Sequence, residues 1–403
     1  MTTKPAPLLQ PFAGVLPPPD KAHLVATRSY LTYSDYELQD KLSRNPFSYL
    51  HVIHPEGDAR GTDGMRSIRA AYETFLAKEW LLADAEPAYY VLRQTGPLGT
   101  CTGIVGLVPT SAAMAGRIKV HESTLSDREA LFASYLADVG LNAEPTLLAH
   151  APDAAVDAAV ATVAYGPFDF DFTTADGVRH TLWRARGAER QALAEVLGGI
   201  DALYIADGHH RVASSIRMAQ AHPEHTASHA FMAIAVPGDQ LIFRGYHRVL
   251  KALSTLPDLK ERLSRMRALD GVKWESAAGT LAPAYGQIAL RGLEDGVIDI
   301  REAMEATGLT AAEWLQEAVL RPIFGVEEPR TDRRLYYIAG DLDQDALDKA
   351  TAGADRLSFI MPPMTFEGLK TVADAGRHLP PKSTWIAPKL RSGLTLFDFG
   401  PAS

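Results

Sequence analysis

The stretch ADGHHR, residues 206–211, sets a carboxylate, a glycine, two imidazoles and a guanidinium side by side. An apolar run, LYI, precedes it and a helical pattern, VASSIRMAQ, follows. Asp207 could simply cap that helix, its carboxylate accepting the first backbone N–H groups. The chemical alternative is anion binding, because the first N–H groups of a helix lack partners and the helix dipole adds positive charge there. Gly208 lets the backbone approach a ligand closely, and Arg211 offers a planar fork that matches phosphate. His209 and His210 leave a helix start in different directions, so at most one of them faces a bound phosphate. Asp207 also supplies the hard oxygen that Mg²⁺ prefers.

Two further stretches carry groups of the same kind. In GRIKVHESTLSDREALF, His121 and Glu122 close an apolar, strand-like run, and Ser126 and Glu129 stand at capping-box spacing. A carboxylate at a strand end beside a neutral imidazole can act as a general base; a solvated His–Glu pair is the plainer reading. In PPKSTWIAPK, Lys382, Ser383, Thr384 and Lys389 lie between prolines that stiffen the chain. Two ammonium groups and two hydroxyls on a rigid loop could close over phosphates, or form an ordinary surface turn. No GxxxxGK[ST] occurs, and GPLGTCTG has the wrong spacing for GxGxxG.

The elements that must position these groups alternate between strand and helix. GMRSIRAAYETFLAKEWLLAD predicts a helix, with Ile68, Ala71, Phe75, Leu76 and Trp80 at helical spacing. GPFDFDFTTADGVRHTLWRA predicts a hairpin turning at Asp176-Gly177, with Phe168, Phe170 and Phe172 on one face and Asp169 and Asp171 on the wet one. HAFMAIAVPGDQLIFRGYHRVLKAL predicts two strands and the start of a helix. The Pro-rich first 20 residues predict an extended surface arm, and residues 331–403 open as strand–helix–strand before the PPKST loop. The expected class is mixed α/β. The expected division is an N-terminal region over 1–250, a mostly helical subdomain over 251–330 and a C-terminal α/β segment over 331–403.

Composition narrows the chemistry. Hydrophobic residues at 46% and charged residues at 22% predict a globular fold, and 403 residues suffice for two or three domains. A net charge of −9 with no dense Lys/Arg run speaks against nucleic acid as a partner. The single cysteine, Cys101, allows no intrachain disulfide and no Cys-rich zinc site, and alternation predicts it buried in a strand. No stretch reaches the roughly 18 apolar residues of a membrane span, and the start has no signal-peptide core. A cytoplasmic protein is expected, with its oligomeric state open, a homodimer included.

PFAGVLP, NPFSYLHVIHPE, EPAYYVLRQ, IKVHESTLSDRE, LYIADGHHRVASS, HRVLK, DRRLYYIAG and LPPKSTWIAPKLRSGL occur in this order along nearly the whole chain. That series resembles the domain of unknown function 1015 family, which is similar to ParB/sulfiredoxin-like nucleotide-binding proteins. The resemblance implies a ParB-like nucleotide-binding core with added helical and C-terminal α/β elements. It also implies that Gly208, His210 and Arg211 match a phosphate-binding turn of the form Gly-x-His-Arg. Sulfiredoxin chemistry needs a cysteine in the turn, where this chain has His209. ParB-type switches carry basic DNA-binding surfaces, which the acidic balance disfavours. The remaining branch implies a kinase that phosphorylates the hydroxyl of free L-serine with ATP or ADP and Mg²⁺, with Glu122 as base. Where family members often carry Pro-Pro-Tyr-Asp, this chain reads ATRSYLTYS. A metal-dependent phosphohydrolase using Asp207, His209 and His210 as ligands, or a nucleotide-binding regulator without turnover, are the alternatives.

Overall fold

Strands rich in apolar residues build two large sheets, beside three two-stranded ones, in the computed structural model, which describes residues 7–54, 62–275, 282–342, 344–353 and 355–402. The chain folds as two compact units. The first takes residues 1–120, 124–242 and 388–403, and the second takes 121–123 and 243–387.

The first unit holds an eight-stranded sheet. Its strands are β1 (Tyr89–Gly96), β2 (Gly99–Pro109), β3 (Ile118–Lys119), β4 (Thr146–His150), β5 (Phe170–Thr173), β6 (Arg179–Ala185), β7 (Leu203–Asp207) and β8 (Ala230–Pro237). They lie in the order β3-β7-β4-β8-β2-β1-β6-β5. Among the described pairings of this sheet, β7–β3 and β8–β4 are parallel and the others antiparallel. Tyr89, Tyr90, Val91 and Leu92 are all buried, the signature of a strand covered on both faces. The N-terminal arm supplies one cover: Tyr89 donates to the Leu9 carbonyl at 2.8 Å, and Tyr90 Oη accepts from the Gly14 N–H at 2.7 Å. The arm is extended as expected, but Leu8, Leu9, Phe12 and Leu16 are core rather than surface residues. Its first six residues lie outside the described part.

Five helices of this unit are used below: α1 (Thr62–Ala77), α2 (Ser126–Val139), α3 (Ala154–Tyr165), α4 (Gly187–Leu197) and α5 (His209–Ala221). Met65, Ile68, Tyr72 and Phe75 give α1 its apolar stripe and pack with Val139 of α2. Trp80 lies past the end of α1 and rests edge-on against Phe75. Val156, Val163, Leu193 and Leu197 seat α3 and α4 in the sheet's core. The β5–β6 hairpin turns at Gly177, whose φ of 77° favours glycine. Its two carboxylates are structural: Asp171 accepts from Arg179 and Thr181, and Asp169 from Arg184. The capping box expected at Ser126 and Glu129 does not form. Helix α2 starts with Ser126 already inside it, no side chain caps it, and Thr124 bonds Glu129 instead.

The second unit has its own sheet, β9 (Tyr246–Lys251), β10 (Lys273–Glu275), β11 (Gln287–Gly292), β12 (Gly296–Asp299), β13 (Leu335–Ala339) and β14 (Arg356–Ile360). The order is β10-β12-β11-β14-β9-β13, and every described pairing is antiparallel. HRVLK is therefore strand rather than helix. Residues 251–330 are not mostly helical either: β10, β11 and β12 run through them beside α6 (Leu259–Arg267), α7 (Arg301–Thr307) and α8 (Ala311–Trp314). Hydrogen bonds from β11 and β9 to β14 join them to residues 331–387 in one sheet, so the expected boundary near 330 is not a unit boundary. The strand–helix–strand reading holds, with α9 (Gln344–Thr351) between β13 and β14. Among the described residues no helix is long and apolar enough to cross a membrane.

Candidate functional site

The ADGHHR turn sits where β7 runs into α5. Strand β7 is buried through Leu203, Tyr204, Ile205 and Ala206, and its pairing with β4 shifts register between Ile205 and Asp207. The chain then reverses through Gly208, at φ 104° and ψ 30°, before α5 begins at His209. A Cβ on Gly208 would stand 3.1 Å from Cγ2 of the buried Thr146, so glycine is required by both backbone and space.

Asp207 does not cap this helix. Gly208 occupies the N-cap position with no side-chain hydrogen bond, and its carbonyl accepts from the N–H groups of Arg211 and Val212. The Asp207 carboxylate instead lies half exposed, 3.8 Å from Lys389 Nζ. Lys389 is held there by its own backbone, whose carbonyl accepts from Gln94 Nε2 at 3.2 Å. One lysine of the PPKSTWIAPK stretch, Lys389, thus lies beside Asp207. His209 and His210, half buried, open α5, and the His210 carbonyl accepts from Ser214.

Arg211 has partners that sequence reasoning missed. Nη1 donates to the Pro145 carbonyl at 2.9 Å, and Nη2 donates to Glu144 at 2.5 Å. Glu144 also accepts from Ser392 at 3.2 Å. Burial works against the guanidinium charge, but Glu144 and Asp207 more than offset it and raise the pKa. Both Nη atoms of the fork are anchored, while 36% of the side chain is exposed. No local spacing could have signalled Glu144, which stands 67 residues earlier. The only hint was an acid directly before Pro145 at the mouth of β4.

The other candidates belong to the second unit. The backbone around His121 and Glu122 is fixed by three bonds: Leu379 N–H to the His121 carbonyl at 2.8 Å, Arg330 to the Ser123 carbonyl at 2.9 Å, and Ser123 Oγ to His378 at 2.8 Å. His121 is buried, whereas Glu122 is partly exposed. Glu122 is close enough to Tyr337 to add its charge to the phenol's surroundings, where burial is the larger cause of a raised pKa. In the PPKST loop, Lys382 has a positive φ of 56° and its ammonium lies 5.3 Å over the Tyr246 ring. Ser383 Oγ donates to the Pro380 carbonyl at 2.6 Å and accepts from Arg248 at 3.1 Å. Thr384 is half buried at the start of a short strand, Trp385–Ala387. Arg248 was absent from the sequence candidates. Its signal was a guanidinium inside the alternating apolar face Tyr246, Arg248, Leu250.

Cys101 is buried in β2, and burial pushes its thiol up to about 12, which removes it from nucleophilic chemistry.

Comparison with known proteins gives a family and a set of distant folds. Among curated proteins none matches the chain. Of solved structures, a C-terminally truncated SbnI from Staphylococcus aureus is similar at 11% identity and a TM-score of 0.38, covering 70% of this chain and 82% of its own. A mutant free serine kinase in complex with AMP is similar at 17% identity and a TM-score of 0.38, over 72% of this chain and 92% of its own. A conserved hypothetical protein from Pyrococcus furiosus is similar at 18% identity and a TM-score of 0.34, over 72% and 95%. Similarity at that level carries no argument about activity. The family model is different in kind, since it matches residues 9–313, both sides of the ADGHHR turn included. The chain belongs to the family described as protein of unknown function (DUF1015).

Proposed function

We propose that this protein is a nucleotide-dependent kinase that phosphorylates the hydroxyl of a small metabolite, with free L-serine the first acceptor to test. The observation that carries the reading is the uncapped, left-handed Gly208 turn at the head of the 13-residue helix α5. A helix start whose side-chain cap is absent, with Asp207 and Lys389 exposed beside it, supports an anion site better than it supports a plain cap. In this reading the backbone at Gly208, His209 and His210 and the partly exposed Arg211 hold the phosphates. Lys389 balances their charge, with Lys382, Ser383 and Thr384 as further phosphate-binding candidates from the sequence motif.

Asp207 fits a magnesium ion by its donor chemistry: it is one exposed carboxylate, and Mg²⁺ is commonly held by one or two carboxylates plus phosphates and water. The ion would neutralise phosphate charge as it develops. Catalysis would be positioning and charge balance. The acceptor hydroxyl oxygen forms a bond to the terminal phosphorus as the bond to the leaving nucleotide breaks. The hydroxyl proton passes to Glu122, with His121 the next candidate for that role.

Incubation with ATP or ADP, Mg²⁺ and a panel of hydroxylated amino acids, read by product mass, tests this directly. A phosphorylated acceptor is expected. Nucleotide hydrolysis that needs no acceptor would make the protein a phosphohydrolase, and tight binding without turnover would make it a regulator.

A further inference from the structure

The second unit holds a cavity of about 330 Å³, open to solvent on one side and at the lower end of the ~300–1,000 Å³ usual for small-molecule sites. Its wall is largely apolar, with Met304, Ala311, Met361 and Pro363 among the lining residues. Into this wall β9 sets Arg248, only 2% exposed. A buried guanidinium is ordinarily paired with a carboxylate, since an unpaired charge out of water is strongly unfavourable. Among the described residues Arg248 has neutral partners only: Nη1 donates to the Tyr246 carbonyl at 2.8 Å, Nη2 to Ser383 Oγ at 3.1 Å, and the Tyr337 ring lies 5.8 Å away. Burial lowers its pKa to about 10, and no carboxylate among the described residues counters that effect.

The remaining charges around the cavity are already accounted for. Arg301 is forked onto Asp299, and Arg377 pairs with Glu313 at 3.4 Å. Glu305 is exposed at the rim and acts on Arg301. His247, next to Arg248, accepts from the Met361 N–H through Nδ1 at 3.1 Å. Burial first, then the Arg248 charge, lower its pKa to about 4, so it stays neutral at physiological pH. Among the described residues the interior of the cavity therefore carries one uncompensated positive charge, with a serine hydroxyl beside it.

We infer that this cavity is a binding site for a small organic monocarboxylate, whose carboxylate completes the ion pair that Arg248 lacks and whose body packs on the methionine and proline wall. One positive charge matches a monoanion better than a phosphate dianion, and the planar fork matches a carboxylate. The site shares Ser383 with the phosphate-binding candidates of the kinase reading, but binding of a carboxylate there needs neither nucleotide nor the ADGHHR turn.

The test uses the full chain without nucleotide, titrated with sodium acetate or L-lactate against sodium phosphate, sulfate and chloride at constant ionic strength. Calorimetry follows binding, and the arginine Nε–H resonances follow the guanidinium. Saturable carboxylate binding at millimolar concentrations is expected, with one buried arginine resonance shifting. Arg248→Met should weaken it by about ten- to a hundredfold, the loss of charged hydrogen bonds. Arg248→Lys should fall between the two. If Arg248→Met does not fold, the wild-type resonance decides alone. No carboxylate-dependent shift, unchanged affinity in Arg248→Met, or tighter binding of phosphate or sulfate than of any carboxylate would each overturn the inference.

Discussion

Gly208→Ala isolates the turn on which the functional reading rests. At φ 104° and ψ 30° an L-residue is strained, by about 1–2 kcal/mol for left-handed backbone. The added methyl meets Thr146 Cγ2 at 3.1 Å, a few tenths of an ångström inside normal contact. Thr146 is 1% exposed in the paired strand β4 and has nowhere to go. The sum is about 2–3 kcal/mol if the backbone holds, at the upper end for one strained residue. If the backbone relaxes instead, the first N–H groups of α5 turn away from the ligand. Stability and affinity thus trade against each other, and at least one must fall. Urea denaturation followed by circular dichroism measures the first, and calorimetry with Mg-ATP measures the second, where each 1.4 kcal/mol is about tenfold. A Gly208→Ala protein within about 0.5 kcal/mol of wild type on both counts would refute the geometry, since that is the range of a surface change touching nothing.

The remaining predictions probe separate parts of the molecule. Arg211→Lys should lower nucleotide affinity and also cost up to about 1 kcal/mol of stability, because an ammonium cannot serve both Glu144 and the Pro145 carbonyl and the site is partly exposed; equal affinity would place Arg211 outside the phosphate site. Glu122→Gln should slow product formation about 10²- to 10⁴-fold with nucleotide affinity unchanged, and near-normal turnover would move the base to His121. His180 is wholly buried in β6 and, among the described residues, neither ring nitrogen has a hydrogen-bond partner. Burial, with the Arg391 charge, lowers its pKa from about 6.5 to about 4. The unfolded chain therefore takes up a proton first as pH falls; the stability is fully present above pH 6.5 and is lost toward pH 4. His180→Leu should flatten that part of the stability–pH curve, and an unchanged curve would show that His180 does not set it. Cys101 should resist thiol reagents in the native state and react once in denaturant; fast native labelling would contradict its burial.

Features governed by neighbours in sequence were the readable ones. The apolar stripe of α1, the Gly177 hairpin and the strand–turn–helix at Gly208 each follow from local spacing. What was hidden depended on distant partners. Arg248 breaks the apolar alternation of β9, so HRVLK looks amphipathic and helical until the cavity beside it is seen. The division expected at 330 fails because sheet pairing between β11 and β14 joins residues far apart in the chain, whereas the one expected at 250 lies close to the unit boundary at 242/243. Ser126 has the composition of a cap, yet the helix begins at that residue, with Leu125 before it. For the candidate site, the turn itself was legible, whereas Glu144, Thr146 and Ser392 enter only through the fold.

The second unit interrupts the first: 145 residues, Phe243–Ala387, separate Ile242 from the segment 388–403 that packs around the N-terminal arm. That last segment is not an ornament. Ser392 bridges Thr27, Leu396 bridges Val15, Asp398 pairs with Arg69 at 2.8 Å, and Phe397–Asp398 pair with Leu141–Asn142. On a ribosome these contacts cannot form until residues 392–398 leave the exit tunnel. The inserted unit has its own sheet and its own core, and it emerges whole before the first unit can close. Synthesis thus dictates the order: the turn at Gly208 is made before the inserted unit, and Lys389 reaches Asp207 only after it. A chain cut after residue 387 would carry the whole ADGHHR turn and still lack the segment that holds Glu144 and faces Asp207.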